Sequence, residues 1–175
     1  MAVFRSQGYK TTSLADLIKA MGLSRSSLYE TFGSKHDLFL TTLASFDKTL
    51  AFYNFVDLDS EQPAKELLAQ MFARVIVSAI EGKGGCMFGN CAVEFSNTDE
   101  EVLNLVAKGI QQLETMFLFI IEAGQAKGDV PQDKNAEAIV GNLVATFYGI
   151  QTMAKAGLGL DSLKRVITQT LTQLD

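Results

Sequence analysis

Ser13-Leu14-Ala15-Asp16-Leu17-Ile18-Lys19-Ala20-Met21-Gly22-Leu23-Ser24-Arg25-Ser26-Ser27-Leu28-Tyr29-Glu30-Thr31-Phe32-Gly33 carries the pattern of two short helices joined by a tight turn. Leu14, Leu17, Ile18 and Met21 share one helical face, and Ser13 with Asp16 three residues later forms a capping-box signature at the entrance. Gly22 ends this helix, and Ser24 is positioned to cap a second, shorter one that buries Leu28 and Phe32 and stops at Gly33. Two helices joined by the turn Gly22-Leu23-Ser24 have the layout of a helix-turn-helix reader. A reader helix needs an apolar underside and small or polar groups elsewhere, so that its backbone can enter the major groove. Arg25, Ser26, Ser27, Tyr29 and Thr31 supply groups able to hydrogen-bond bases or phosphates. Spacing alone also allows an ordinary helical hairpin with a polar outer face.

Outward from this stretch the same periodicity continues, and no segment reads as a strand, so the expected fold class is all-α. Ser34 and Asp37 repeat the capping pattern before a linking helix carrying Phe39, Leu43, Phe46, Leu50 and Tyr53, which Asp57-Leu58-Asp59-Ser60 breaks. Pro63 suits the first turn of a helix with Leu68, Phe72, Val75, Ile76 and Ala79 inward, running to the loop Glu81-Gly82-Lys83-Gly84-Gly85. Thr98 with Glu101 predicts a further capping box before a long helix that buries Leu103, Val106, Ile110, Leu113, Phe117 and Ile120 and closes near Gly128. Ile139, Leu143, Val144 and Phe147 line another helix, and Asp161 is expected to cap the last, with Leu163, Ile167, Leu171 and Leu174 on one side.

Composition narrows the function classes. The 175 residues are 47% hydrophobic and 20% charged, which supports a packed core and excludes a disordered chain. Net charge is −5, which argues against indiscriminate coating of nucleic acid or acidic membrane. The charge is divided, however: residues 1–48 hold six basic side chains against four acidic ones, and the remainder is acidic. A phosphate contact therefore belongs to the N-terminal part. Apolar runs fall short of the ~20 residues a membrane span needs, and the start lacks a secretory h-region, so a cytoplasmic protein without a membrane partner is expected. His36 is the single histidine, which leaves triads and multi-histidine metal sites without members. Neither catalysis, cofactor nor metal is expected, and His36 is expected to lie in water.

The N-terminal motifs resemble those of the TetR family of bacterial transcription regulators over residues 4–46. They are Gly8-Tyr9, Thr12-Ser13, Gly22-Leu23-Ser24-Arg25, Leu28-Tyr29-Glu30-Thr31-Phe32 and Ser34-Lys35-His36-Asp37-Leu38. The resemblance implies a DNA-binding head over 1–46 and a ligand-binding and dimerisation domain over 47–175. It implies that Thr12, Tyr29 and Lys35 meet phosphate while Arg25, Ser26 and Ser27 face base edges. Lys35 has independent support, because a cation in a helix's first turn adds to the free N–H groups and dipole there. Thr31 stands where many members have His, and its hydroxyl can still donate to phosphate. Only Met1 to Gln7 precede Gly8, about half of the family's usual first helix; either translation starts upstream or the head is under-packed.

In the C-terminal half, Gly141, Ala145 and Gly149 recur at helical spacing and would admit a close neighbour, whether a partner subunit or a helix of the same chain. The resemblance places the dimer interface on the last two helices, making Gly141, Ala145, Gly149, Leu163, Ile167 and Leu171 the candidates. Phe72, Met87, Phe88, Asn90, Met116, Phe117, Phe147 and Tyr148 are candidates for an inducer pocket, with Glu94 as a further polar group, and suit a plain core equally well. Gly85-Cys86-Met87-Phe88-Gly89-Asn90-Cys91-Ala92-Val93-Glu94 resembles a Gly-Cys-x-x-x-Asn-x-x-x-Glu segment of one TetR subgroup, some of whose members sense electrophiles or oxidants. Cys86 at a helix N-terminus would be a candidate thiol sensor, or else a small buried residue. Cys91, about 140° round the helix, is expected to pack without a disulfide to Cys86.

Together these readings point to a homodimeric repressor that binds a pseudo-palindromic double-stranded DNA operator and is released by a small-molecule inducer. The alternative is a helical small-molecule- or partner-binding protein that has lost DNA binding through its short first helix.

Overall fold

The computed structural model describes residues 2–49, 61–81 and 85–175, and among these the regular elements are all helical. In chain order they are α1 (Ala2–Gln7), α2 (Leu14–Met21), α3 (Arg25–Phe32), α4 (Lys35–Thr49), α5 (Ala64–Glu81), α6 (Met87–Phe95), α7 (Glu100–Lys127), α8 (Ala136–Lys155) and α9 (Leu160–Leu171), followed by a 3-10 turn at Thr172–Leu174. The expectations for Leu50 and Tyr53, the break at 57–60 and the loop at 82–84 lie outside the described residues.

Local chemistry explains most of the boundaries. Ser13 and Asp16 make both bonds of a capping box, and Gly22 closes α2 at φ +66°, a left-handed value that favours glycine. Ser24 caps α3 by accepting from the Ser27 amide, and Ser34 receives the Asp37 amide at 3.0 Å to open α4. Two expected caps are corrected. Asp99, not Thr98, caps α7, because its carboxylate takes the Val102 amide. Gly159, not Asp161, precedes α9, which places Asp161 inside the first turn, where its charge complements the helix dipole.

The helices bury two apolar cores. One lies among α5, α7, α8 and α9, where Phe72 stacks on Phe117 and both meet Phe147 edge-on, with centroids 6.2–6.4 Å apart. The other is built from both ends of the chain's logic: Phe4, Leu17, Leu28, Leu38, Phe39, Leu43 and Phe46 of the first four helices pack against Cys86, Met87, Phe88, Cys91 and Phe95 of α6 and Val102 and Val106 of α7. The head expected over 1–46 therefore has no separate core. Gly109 makes the α6–α7 approach feasible, since a Cβ there would lie 2.4 Å from the Phe88 ring. Phe88 also meets Phe46 of α4 edge-on at 5.4 Å, so one ring touches α4, α6 and α7. Among the described residues no helix is long and apolar enough to cross a membrane.

Both cysteines are free and buried. Cys86 does occupy the N-cap position of α6, yet the expected gain in acidity does not follow. Burial is the larger influence and raises its pKa, against the opposing pull of the Gly89 and Phe88 amides, the Arg5 guanidinium and the Gln151 side chain. Cys91 is pushed up to about 12, by burial first and then by Glu94 and Cys86. Both thiols thus stay protonated in the folded state while unfolded cysteines ionise above pH ~8.5. Their stabilising contribution is complete below that pH and declines as pH rises through the range between the unfolded and folded values. In native protein at pH 8, an aromatic disulfide reagent is expected to titrate neither thiol within minutes, and both upon addition of denaturant. Rapid modification of Cys86 in the folded state would contradict this packing.

Candidate nucleic-acid interface

The outer face of α3 is set by what its inner face buries. Leu28 is fully enclosed, which turns Arg25, Ser26, Tyr29 and Thr31 to solvent and leaves Ser27 half-buried. The Arg25 guanidinium stands 5.8 Å from the Tyr29 ring centroid, an i, i+4 pairing that holds both side chains on the exposed face. Ser26 and Ser27 hydroxyls turn back on the Ser24 hydroxyl at 3.0 and 2.9 Å. They can switch to an outside acceptor by rotation about a single bond.

Lys35 is the first residue of α4, directly after the capping Ser34. Its ammonium lies 4.3 Å from the Tyr9 ring centroid, a cation–π contact at the start of the helix, and the residue is half-buried. Thr12 is different from its expected role. Only 1% of it is exposed, and its hydroxyl donates to the Gly8 carbonyl, so the side chain ties down the turn between α1 and α2 and presents nothing to phosphate. Arg25, Ser26, Ser27, Tyr29, Thr31 and Lys35 remain the candidate DNA-facing set.

Among the described residues, polar contacts centred on Glu94, His36 and Arg5 join these helices to the rest of the molecule, and none was foreseen. Glu94, near the end of α6, accepts the Tyr9 amide at 2.9 Å and the Lys10 amide at 2.6 Å, so it faces α1–α2 and not a pocket. His36 is corrected likewise: its Nε2 lies 2.7 Å from Asp99 Oδ2 and its ring meets Tyr9 edge-on, so it does not simply lie in water. Asp99 is held below the usual carboxylate range: burial alone would raise it, but the Val102 amide, His36 and the Glu101 amide together prevail. Arg5 of α1 donates to the Gly85 carbonyl at 2.9 Å and to the Ser78 hydroxyl at 3.3 Å. Burial, followed by the Asp99, Asp37 and Glu94 charges, raises the Tyr9 phenol and keeps it neutral.

The C-terminal candidates are redistributed. Phe72, Met116, Phe117 and Phe147 belong to the α5–α9 core, whereas Met87 and Phe88 belong to the core shared with α1–α4. These six side chains are thus divided between two cores, while Asn90 and Tyr148 are half-buried. Among the described residues, a groove of about 590 Å³ runs along the outer face of α5 past Ala73, Arg74, Val77, Ser78 and Glu81. Leu163, Ile167 and Leu171 are buried within the protomer and so are withdrawn from the proposed interface. Gly141 and Ala145 face outward, with nothing of the same chain within 4 Å of a Cβ built at Gly141 or Gly149.

Similarity to known proteins agrees with this geometry. Residues 1–42 match the bacterial regulatory proteins of the tetR family, and residues 63–170 match the tetracyclin repressor-like C-terminal domain. The uncharacterized HTH-type transcriptional regulator YezE of Bacillus subtilis is 28% identical, across 99% of this chain and 91% of that protein. The HTH-type transcriptional repressor ComR of Escherichia coli is 27% identical, across 98% of this chain and 83% of its own. Among solved structures, the TetR family regulator CifR, as a cysteine mutant complexed with 26-bp operator DNA, superposes with TM-score 0.87 at 26% identity, covering 99% of this chain and 92% of that one. With both halves matched in order and the reader helix exposed, this chain belongs to the TetR family of transcriptional regulators.

Proposed function

We propose that this regulator is a repressor that acts as a homodimer on a pseudo-palindromic operator and is released by a small-molecule inducer. The observation that carries the reading is the outer face of α3: a buried Leu28 beneath exposed Arg25, Ser26, Tyr29 and Thr31, with Lys35 alongside. Arg25 is suited to a base edge, whereas Lys35 at a helix start is suited to phosphate. Similarity to a regulator solved with operator DNA supports DNA as the partner. A protein that has lost DNA binding is not favoured, because α1, though only six residues long, still buries Phe4 in the shared core.

Dimerisation would use the outward stripe of Gly141, Ala145 and Gly149 on α8, continued by Met153, which is 50% exposed, and by Val166 of α9. Two heads then meet two half-sites. The groove along α5 has a volume suited to a small molecule. Its Ser78 is held by Arg5 of α1, so an occupant would compete with a contact between the ligand-binding half and the head.

Arg25→Ala is expected to weaken operator binding by about 1–3 kcal/mol and relax base preference, and Lys35→Ala to weaken all duplexes about equally and lower the salt slope by about one. Fluorescence anisotropy over a salt series reads both; two variants that bind as wild type would displace the reader from α3. Ala145→Arg should convert dimer to monomer in light scattering at unchanged helicity, whereas Leu163→Ala should cost about 2–5 kcal/mol of stability and leave the dimer intact. The opposite pattern would place the interface elsewhere.

A further inference from the structure

We propose that Glu94 is a positioning residue for DNA binding: its carboxylate occupies a backbone anion nest formed by Gly8, Tyr9 and Lys10, and so fixes the reader head on the end of α6. This rests on the reading that α3 and Lys35 contact DNA. Gly8 is at φ +86°, which turns the two following amides to the same side, and both point at one carboxylate, with Tyr9 N 2.9 Å from Oε2 and Lys10 N 2.6 Å from Oε1. Glycine is required here twice over. The backbone conformation disfavours a side chain, and a Cβ would come within 3.0 Å of Glu94 Oε2. Lys10 closes the clamp from the other side by donating its ammonium to the Glu94 carbonyl at 3.1 Å. The Gly8-Tyr9 motif and the Glu that ends the Cys86 segment are thus two halves of a single contact.

From the nest the constraint runs to the DNA-facing surface through packed rings. Tyr9 rests against Phe95 at 5.3 Å and Phe39 at 4.8 Å, and Lys35 stands over its ring. The other end of α6 is held where Phe88 fits against Gly109 and Phe46. A displacement of α6 therefore carries the nest, the Tyr9 ring and the Lys35 cation with it.

The sign of the effect separates positioning from simple charge. A carboxylate in a basic head repels phosphate, so removing an incidental one should tighten binding; removing a clamp should loosen it. The experiment compares wild type, Glu94→Gln, Glu94→Ala and, as a matched charge control, Glu101→Gln. Affinity for an operator selected by the wild type is measured beside affinity for random duplex, and hydrogen exchange is followed at the Tyr9 and Lys10 amides. Glu94→Ala is expected to lower operator affinity about tenfold or more and to speed both amides by a similar factor. Random-duplex affinity should fall less than operator affinity, Glu94→Gln should fall in between, and Glu101→Gln should bind as well as wild type or better. Operator binding by Glu94→Ala equal to or tighter than wild type would overturn the positioning role, and unchanged amide exchange would overturn the clamp itself. Failure of the wild type to prefer any duplex would instead overturn the DNA-reading proposal, with the exchange rates still deciding whether the nest holds its carboxylate.

Discussion

The first four helices are too small to enclose a core of their own, and the remaining structure answers that constraint. Phe4, Leu17, Leu28, Phe39 and Phe46 leave water in one cluster with Phe88, Cys91 and Phe95 of α6. Fully burying one such aromatic is worth about 1.5–3 kcal/mol, against about 1 kcal/mol for a helix cap. Packing on α6 therefore decides where the head sits, while capping residues decide where its helices start and stop. Because α6 also contacts α7 through Phe88 and Gly109, it packs on the head and on the C-terminal half at once.

Such an arrangement suits a regulator whose DNA affinity must respond to events elsewhere in the chain. Coupling of this sort requires an element that both sites bias, not merely a path of contacts between them. α6 touches both halves of the chain: its start carries Cys86 beside Arg5 and Gln151, and its end carries Glu94 and Phe95 against the head. Arg5 adds a second strap, from α1 to Ser78 at the α5 groove. His36 with Asp99 adds a third, joining the start of α4 to the cap of α7. Hydrogen bonds to charged groups are the stronger kind, and those of Arg5 to Gly85, Glu94 to Tyr9 and His36 to Asp99 are partly buried while that of Arg5 to Ser78 is exposed.

Much of this was legible in the residues because it is local. Ser13 with Asp16, Gly22, Ser24 and Gly33 act within one turn of themselves, and their roles can be read from spacing. The apolar stripes of α5, α7 and α8 are legible for the same reason, since a period of 3.6 reports which face is buried. Periodicity does not report what that face is buried against. Phe72 and Phe88 look alike in sequence but lie in different cores, and Leu163 repeats like an interface residue while packing inward. Contacts at long separation were illegible for a related reason: Glu94 and Tyr9 are 85 residues apart, and His36 and Asp99 are 63 apart. Gly109 offered a signal that could have been used, because a glycine inside an otherwise strong helical pattern calls for a close neighbour. Thr12 misled because an exposed hydroxyl and one bonded to the Gly8 carbonyl have the same sequence.

If two coupled heads read duplex DNA with α3, selection from random duplex at near-physiological salt should enrich an inverted repeat whose half-site centres lie about one helical turn, or a multiple of it, apart. Folded, dimeric protein that enriches no sequence, or only an isolated half-site, would contradict it.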